Sequence, residues 1–174
     1  ATLPAAFVGV TASQLIIESY SIQLLPITFL ATAIMIGCTR FFNEENTNLI
    51  TLGTAAVIGI AQVFALLPGV SRSGITIAVA IFLGTQRESA ARFVFLMAIP
   101  ILLGAGVFQF YKLPTAIQTI EFFPVVAGFI AALMSGLLVI HWLIAVISKG
   151  RFYLFSFYCF GISFLSFQIN LAVV

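Results

Sequence analysis

The chain alternates apolar runs with short polar punctuation. Residues 22–39 form one apolar run, closed by the polar stretch RFFNEENTN at 40–48. Residues 49–67 are nineteen positions without a charge, and PGVSRSG at 68–74 separates them from a shorter run at 75–84. TQRESAAR at 85–92 is polar and helix-compatible, with Glu88 four residues before Arg92, a favourable pair on a helix face. Three more runs, at 93–111, 122–147 and 152–174, each come close to the roughly 20 residues a helix needs to cross hydrocarbon. The connections at 112–121 and 148–151 are short. With no linker and no low-complexity tract, the pattern predicts one all-α transmembrane domain over residues 1–174.

Composition narrows the class. Of the 174 residues 62% are hydrophobic and only 7% charged, with seven Lys and Arg against five Glu and no Asp. A soluble domain carries roughly a quarter charged residues, so twelve charges could not cover a water-facing surface. Disorder, collagen-like repeats, a disulfide scaffold and a soluble enzyme are excluded, which leaves a polytopic membrane protein. No basic patch suits nucleic acid. Cys38 and Cys159 sit in separate apolar runs without metal spacing and read as small buried hydrophobes. ATLPAAFVGV at 1–10 reads as the last turns of a membrane helix with no signal peptide before it. The expectation is therefore the C-terminal part of a longer protein.

The run at 75–84 is half the length required to span, and a Pro-Gly, Ser-Arg-Ser-Gly break precedes it. Broken backbone at membrane depth survives only where protein buries it or water reaches it. Residues 49–84 either cross once or form a hairpin that enters and leaves on one side. With a hairpin, Arg40, Arg87, Arg92, Lys149 and Arg151 share a face against Lys112 alone; a single crossing gives four against two. Positive residues collect in cytoplasmic loops, so the hairpin is preferred, with cytoplasmic feet and its tip towards the outer face.

Arg72 is the sharpest chemical signal. A guanidinium deep in an apolar stretch costs roughly 2.5–3.5 kcal/mol on insertion scales, and such a residue normally faces a cavity or a counter-ion. Ser71 and Ser73 flank it with hydroxyls, and Gly69 and Gly74 let backbone approach a ligand. The helix that follows is expected to start with Ser73 as its N-cap, presenting free N–H groups and a partial positive charge. Arginine, hydroxyls and a helix start describe an anion site, with phosphate the usual guest; the competing reading is a Pro-Gly turn with a snorkelling or salt-bridged Arg. Gln62, the only strongly polar side chain in the 49–67 arm, is a candidate for bonding the tip or a neighbouring carbonyl. His141 beside Trp142 reads as a helix-end histidine, Glu18 and Glu121 as residues of external loops, and Glu44 and Glu45 as loop solvation. No His cluster, Cys pair or paired carboxylates offers a metal site or an acid–base couple.

AQVFALLPGVSRSGITIAVAIFLGTQRESAARFVFLMAIP at 61–100 resembles the second signature of the bacterial undecaprenyl-diphosphatase, or bacitracin-resistance, family. The Pro-Gly-x-Ser-Arg-Ser-Gly core, then Arg-Glu-x-Ala-Ala-Arg-Phe-x-Phe-Leu and Ile-Pro, carries the likeness, and weaker similarity runs along the whole chain. The resemblance implies a multi-pass bacterial plasma-membrane phosphatase that hydrolyses undecaprenyl pyrophosphate to the monophosphate. That reaction recycles the lipid carrier of peptidoglycan synthesis. It also implies a helical bundle with two re-entrant hairpins in an inverted repeat, this chain being the second half, and a site open to the periplasmic side.

On that reading Arg72 matches the essential arginine that holds the pyrophosphate, and Ser71 and Ser73 match catalytic-pocket hydroxyls. Gly69, Gly74 and Gln62 are the accompanying substrate-binding candidates. The family's first signature, two glutamates four apart leading into Pro-x-Ser-Ser-x-Gly-His, is absent from these residues. With it go the acidic ligands of the divalent cation, Mg or Ca, that the resemblance implies. Expected partners are the lipid substrate and membrane lipid, with a homodimer left open and no nucleic acid. A lipid-phosphate transporter or flippase and an inactive truncated paralogue are the alternatives.

Overall fold

The computed structural model describes residues 1–11, 22–42, 49–112 and 122–173. Glu18, Glu44, Glu45 and Glu121 lie outside them. The described residues form seven α-helices: α1 (Leu3–Thr11), α2 (Leu25–Cys38), α3 (Leu52–Phe64), α4 (Arg72–Phe82), α5 (Arg87–Lys112), α6 (Phe122–Ser148) and α7 (Leu154–Val173). Single 3₁₀ turns sit at Ile22–Leu24, Thr39–Phe41 and Arg151–Tyr153. Three stretches, Arg87–Gln109, Phe123–Ser148 and Arg151–Leu171, are long and apolar enough to cross a membrane. The chain folds as an all-α membrane bundle.

The interrupted segment is a helical hairpin. Thr51 caps α3, its hydroxyl accepting from Thr54 N, but the helix ends after 13 residues and α4 has only 11. At 1.5 Å per residue these reach about 20 Å and about 16 Å, short of the roughly 30 Å of hydrocarbon. The nineteen-residue run at 49–67 is thus not one spanning helix: the backbone leaves helical geometry at Ala65, ahead of Pro68 and of Gly69 at φ +82°. The two arms pack against each other.

The hairpin's place is fixed by α4, the most deeply buried helix, which packs on α2, α3 and α5. Ile77, Ala78 and Ala80 lose all exposure, and Ile81 nearly all. Ile36, Ile58, Val94 and Met97 close the same core from the three neighbours. Burying side chains of this size contributes roughly 1.5–3 kcal/mol each relative to exposure in water, although lipid weakens that term where it is the competing medium. The wider bundle is held by close small-residue contacts. α7 packs along α2, with Ser163 Oγ donating to the Pro26 carbonyl at 2.7 Å and Ser156 seated beside Gly37.

Three chain connections meet at one end of the bundle. Arg87 Nη2 donates to the carbonyls of Phe42 at 2.9 Å and Thr39 at 3.4 Å, Phe42 and Phe82 rings lie 4.6 Å apart, and the Arg40 guanidinium stands 5.1 Å over the Tyr153 ring. The chain leaves this end at Phe42 and is back at Arg87, with two non-spanning helices between. This is the hairpin arrangement, not the single crossing. The Glu88–Arg92 pair forms as expected, at 2.7 Å.

Candidate functional site: the hairpin tip and the Arg72 cavity

The tip is built by a tight turn followed by a capped helix start. Val70 N bonds back to the Leu67 carbonyl, and Gly69 takes a left-handed conformation that a side chain would oppose. A Cβ at Gly69 would also coincide with the Thr28 hydroxyl on α2. Ser71 then adopts an extended backbone and caps α4, its Oγ accepting from Gly74 N at 3.1 Å. This corrects the expectation that Ser73 is the N-cap. Ser73 lies one residue inside the helix, because it is Ser71 whose hydroxyl reaches the third N–H of the first turn. Gly74 is required by space: a Cβ there would stand 2.8 Å from Ser71 Oγ and 2.9 Å from Ile36 Cδ1.

The cap decides which donors remain. Gly74 N–H goes to Ser71 Oγ and Ile75 N–H to the Ser71 carbonyl. The amides of Arg72 and Ser73 are left as orphan donors at the positive end of the α4 dipole. Arg72 is the first residue of that helix and half-buried. Among the described residues its guanidinium has no carboxylate partner.

Arg72 faces a cavity of about 420 Å³ bounded by Thr2 and α1 (Ala5), the tip (Leu66) and α5 (Pro100, Gly104). Almost all of that lining is apolar, and Arg72 is its charged member. The volume falls within the range of small-molecule sites. Such a cavity suits an amphiphile whose anionic head meets the guanidinium and whose apolar body lies along α5. Pro100 sits within α5 without ending the helix, so the lining is continuous.

The other site candidates lie behind this surface. Ser71 is committed to the cap, Ser73 and Gly69 are half-buried, and Gly74 is buried against Ile36. None of them borders the cavity. Gln62 is wholly buried on α3, and among the described residues neither its amide oxygen nor its nitrogen has a hydrogen-bond partner. Sequence reasoning missed Thr76, whose hydroxyl donates to the Arg72 carbonyl at 2.7 Å and stiffens the first turn, and missed the threonines of α2. Among the described residues no group of three or more His, Cys, Asp or Glu could hold a metal ion, and the tip itself is cationic. His141 is exposed on α6, and both cysteines are free thiols.

Fold and site define an integral membrane protein whose broken hairpin sets Arg72 against an apolar cavity beside the long helices. Its lineage is equally clear: the chain belongs to the bacitracin resistance protein BacA family, whose sequence profile matches residues 1–165. It is 34% identical over 169 residues to an undecaprenyl-diphosphatase of Caldicellulosiruptor bescii, covering 92% of this chain and 62% of that protein. A second undecaprenyl-diphosphatase, from Thermotoga maritima, is 35% identical over 169 residues, 95% of this chain and 68% of its own length. One from Geotalea daltonii is 35% identical over 176 residues, 95% and 65%. The chain thus spans about two thirds of the length of these curated relatives.

Proposed function

We propose that this chain forms the arginine-bearing part of a membrane phosphatase that cleaves undecaprenyl pyrophosphate into undecaprenyl phosphate and inorganic phosphate. The observation that carries the reading is Arg72 at the start of a buried half-helix, facing an apolar cavity of about 420 Å³. The names of the relatives point to the same substrate.

In this reading the prenyl chain lies along α1 and α5 while the pyrophosphate meets Arg72 at the start of α4. One water is consumed overall: its oxygen ends on the terminal phosphorus, its protons pass to the released phosphate and to solvent, the bridging P–O bond breaks, and the lipid monophosphate leaves with the bond's electron pair. Charge grows on the oxygens of both products. A fixed guanidinium and helix dipole aimed at those oxygens lower the barrier, because they need no reorganisation as the charge develops. The divalent cation implied by the family resemblance has no donor set among the described residues, so no step here is assigned to it.

The basic end, with Arg40, Arg87, Arg92, Lys149 and Arg151, supports a cytoplasmic placement of the hairpin feet in a multi-pass plasma-membrane protein. The tip then points to the outer face, where the spent carrier of peptidoglycan synthesis would be met, and the enzyme would protect against bacitracin. Phosphate release from undecaprenyl pyrophosphate by the purified full-length protein tests the activity. Arg72→Ala is expected to abolish it with expression intact. Turnover above a tenth of wild type would remove Arg72 from the mechanism, and binding of the lipid without phosphate release would favour a transporter.

A further inference from the structure

The hairpin tip does not stand alone; it is docked on one stripe of α2. Thr28, Thr32 and Ile36 recur every four residues, so they line one face of that helix. Each meets one position of the tip. The Thr28 hydroxyl occupies the space a Cβ on Gly69 would take, Thr32 Oγ1 accepts from Ser71 N at 3.3 Å, and Ile36 Cδ1 abuts Gly74. Thr32 is fully buried, and its hydroxyl proton is spent on the Thr28 carbonyl at 2.9 Å. That bond aims the Thr32 lone pairs away from its own helix and at the tip.

We propose that Thr32 is a positioning residue for Arg72, acting through Ser71; the proposal rests on the phosphatase reading above. The argument is one of constraint. Ser71 is extended and holds α4 by its side chain, so its own N–H points out of the helix and takes an acceptor in a half-buried place. Thr32 supplies the acceptor from another helix, 39 residues away in sequence. The bond sets the rotation of Ser71, the cap sets the first turn of α4, and the first turn sets where the Arg72 guanidinium emerges into the cavity. Thr28 limits the same turn from the other side of Gly69. A displacement of the guanidinium by about 1 Å weakens charge stabilisation in the transition state more than it weakens ground-state binding, and shifts of that size can cost on the order of a hundredfold in rate.

The test uses the full-length protein in detergent with undecaprenyl pyrophosphate, reading kcat and KM by phosphate release. Thr32→Val keeps the shape and removes the acceptor; it is expected to lower kcat by roughly ten- to a hundredfold with KM changed by less than about threefold. Thr32→Ser keeps the acceptor and is expected to restore most of kcat. Thr39→Val is the control for packing: Thr39 is also fully buried, but it follows the far end of α2 and its hydroxyl donates to the Ile36 carbonyl and, among the described residues, to no part of the tip, so kcat should hold. Should Thr32→Val fail to fold, Thr32→Cys, with a sulfur that is a weak acceptor, replaces it. Wild-type kcat in the variant that lacks the acceptor, or an equal loss in Thr39→Val, overturns the proposal. A wild-type protein that releases no phosphate overturns the phosphatase reading and the role of Thr32 in it together.

Discussion

Ser163 on α7 donates its hydroxyl to the carbonyl of Pro26 on α2 at 2.7 Å, joining residues 137 positions apart. Pro26 lies two residues before Thr28, so this bond steadies the end of α2 that receives the hairpin tip. Ser163→Ala removes the donor and leaves the carbonyl its intrahelical partner. The expected loss is about 0.6–1.5 kcal/mol, the range of interhelical hydrogen bonds in membranes and proteins generally. Thermal unfolding in detergent measures it, and an unchanged midpoint would show that the contact carries no stability.

Arg87 predicts a larger effect at the other end. It is 9% exposed, and its Nη2 serves the two carbonyls that close the Thr39–Phe41 turn. Its Nε and Nη1 are buried and have no partner among the described residues. Truncation to Ala strips the turn of its donor and opens a void, so about 2–3 kcal/mol of stability should go, a charged donor being involved. Lys has one ammonium in place of a planar fork and should recover only part of it. Equal stability of Arg87→Ala and wild type in denaturation would refute this anchoring.

Gly69 separates two costs that act at one position. Ala there must accept φ +82°, disfavoured by roughly 1–2 kcal/mol for a residue with a Cβ, and must displace the Thr28 hydroxyl. Gly69→Ala should therefore lose stability and, on the proposed phosphatase reading, activity with it. Adding Thr28→Ala removes the collision but not the backbone strain, so the double variant should recover part of the loss. Full recovery would mean that strain is negligible, and no recovery would mean that Thr28 does not limit the turn.

How much of this was legible beforehand follows from what hydropathy records. The hairpin announced itself because an apolar run of half length beside Pro-Gly is visible along the chain, and Arg72 because a charge in such a run is conspicuous. Thr28 and Thr32 were invisible for the opposite reason. A threonine in an apolar run looks like a small tolerated residue, and its partner lies on another helix. The sequence points to Ser73 where the structure caps with Ser71, because both serines flank Arg72 and only the path of the backbone decides which hydroxyl faces the free amide. Arg87 reads as one more loop charge in the sequence, since hydropathy does not show a side chain turning inward to carbonyls 45 and 48 residues earlier.

Gly104 gives the cavity its own test. It lines the space below Arg72, and a Cβ built on it meets nothing within 4 Å. Gly104→Leu therefore adds bulk where the fold tolerates it, and a Gly in mid-helix is less favourable than a Leu by up to about 1 kcal/mol. The variant should unfold no earlier than wild type. If a prenyl chain uses this cavity, the added side chain takes space the chain needs along its whole length, while the guanidinium and the helix start stay in place. KM for undecaprenyl pyrophosphate should then rise severalfold with kcat little changed, the pattern of lost uniform binding. A fall in kcat at constant KM would place the lipid elsewhere and leave the cavity as packing space beside the tip.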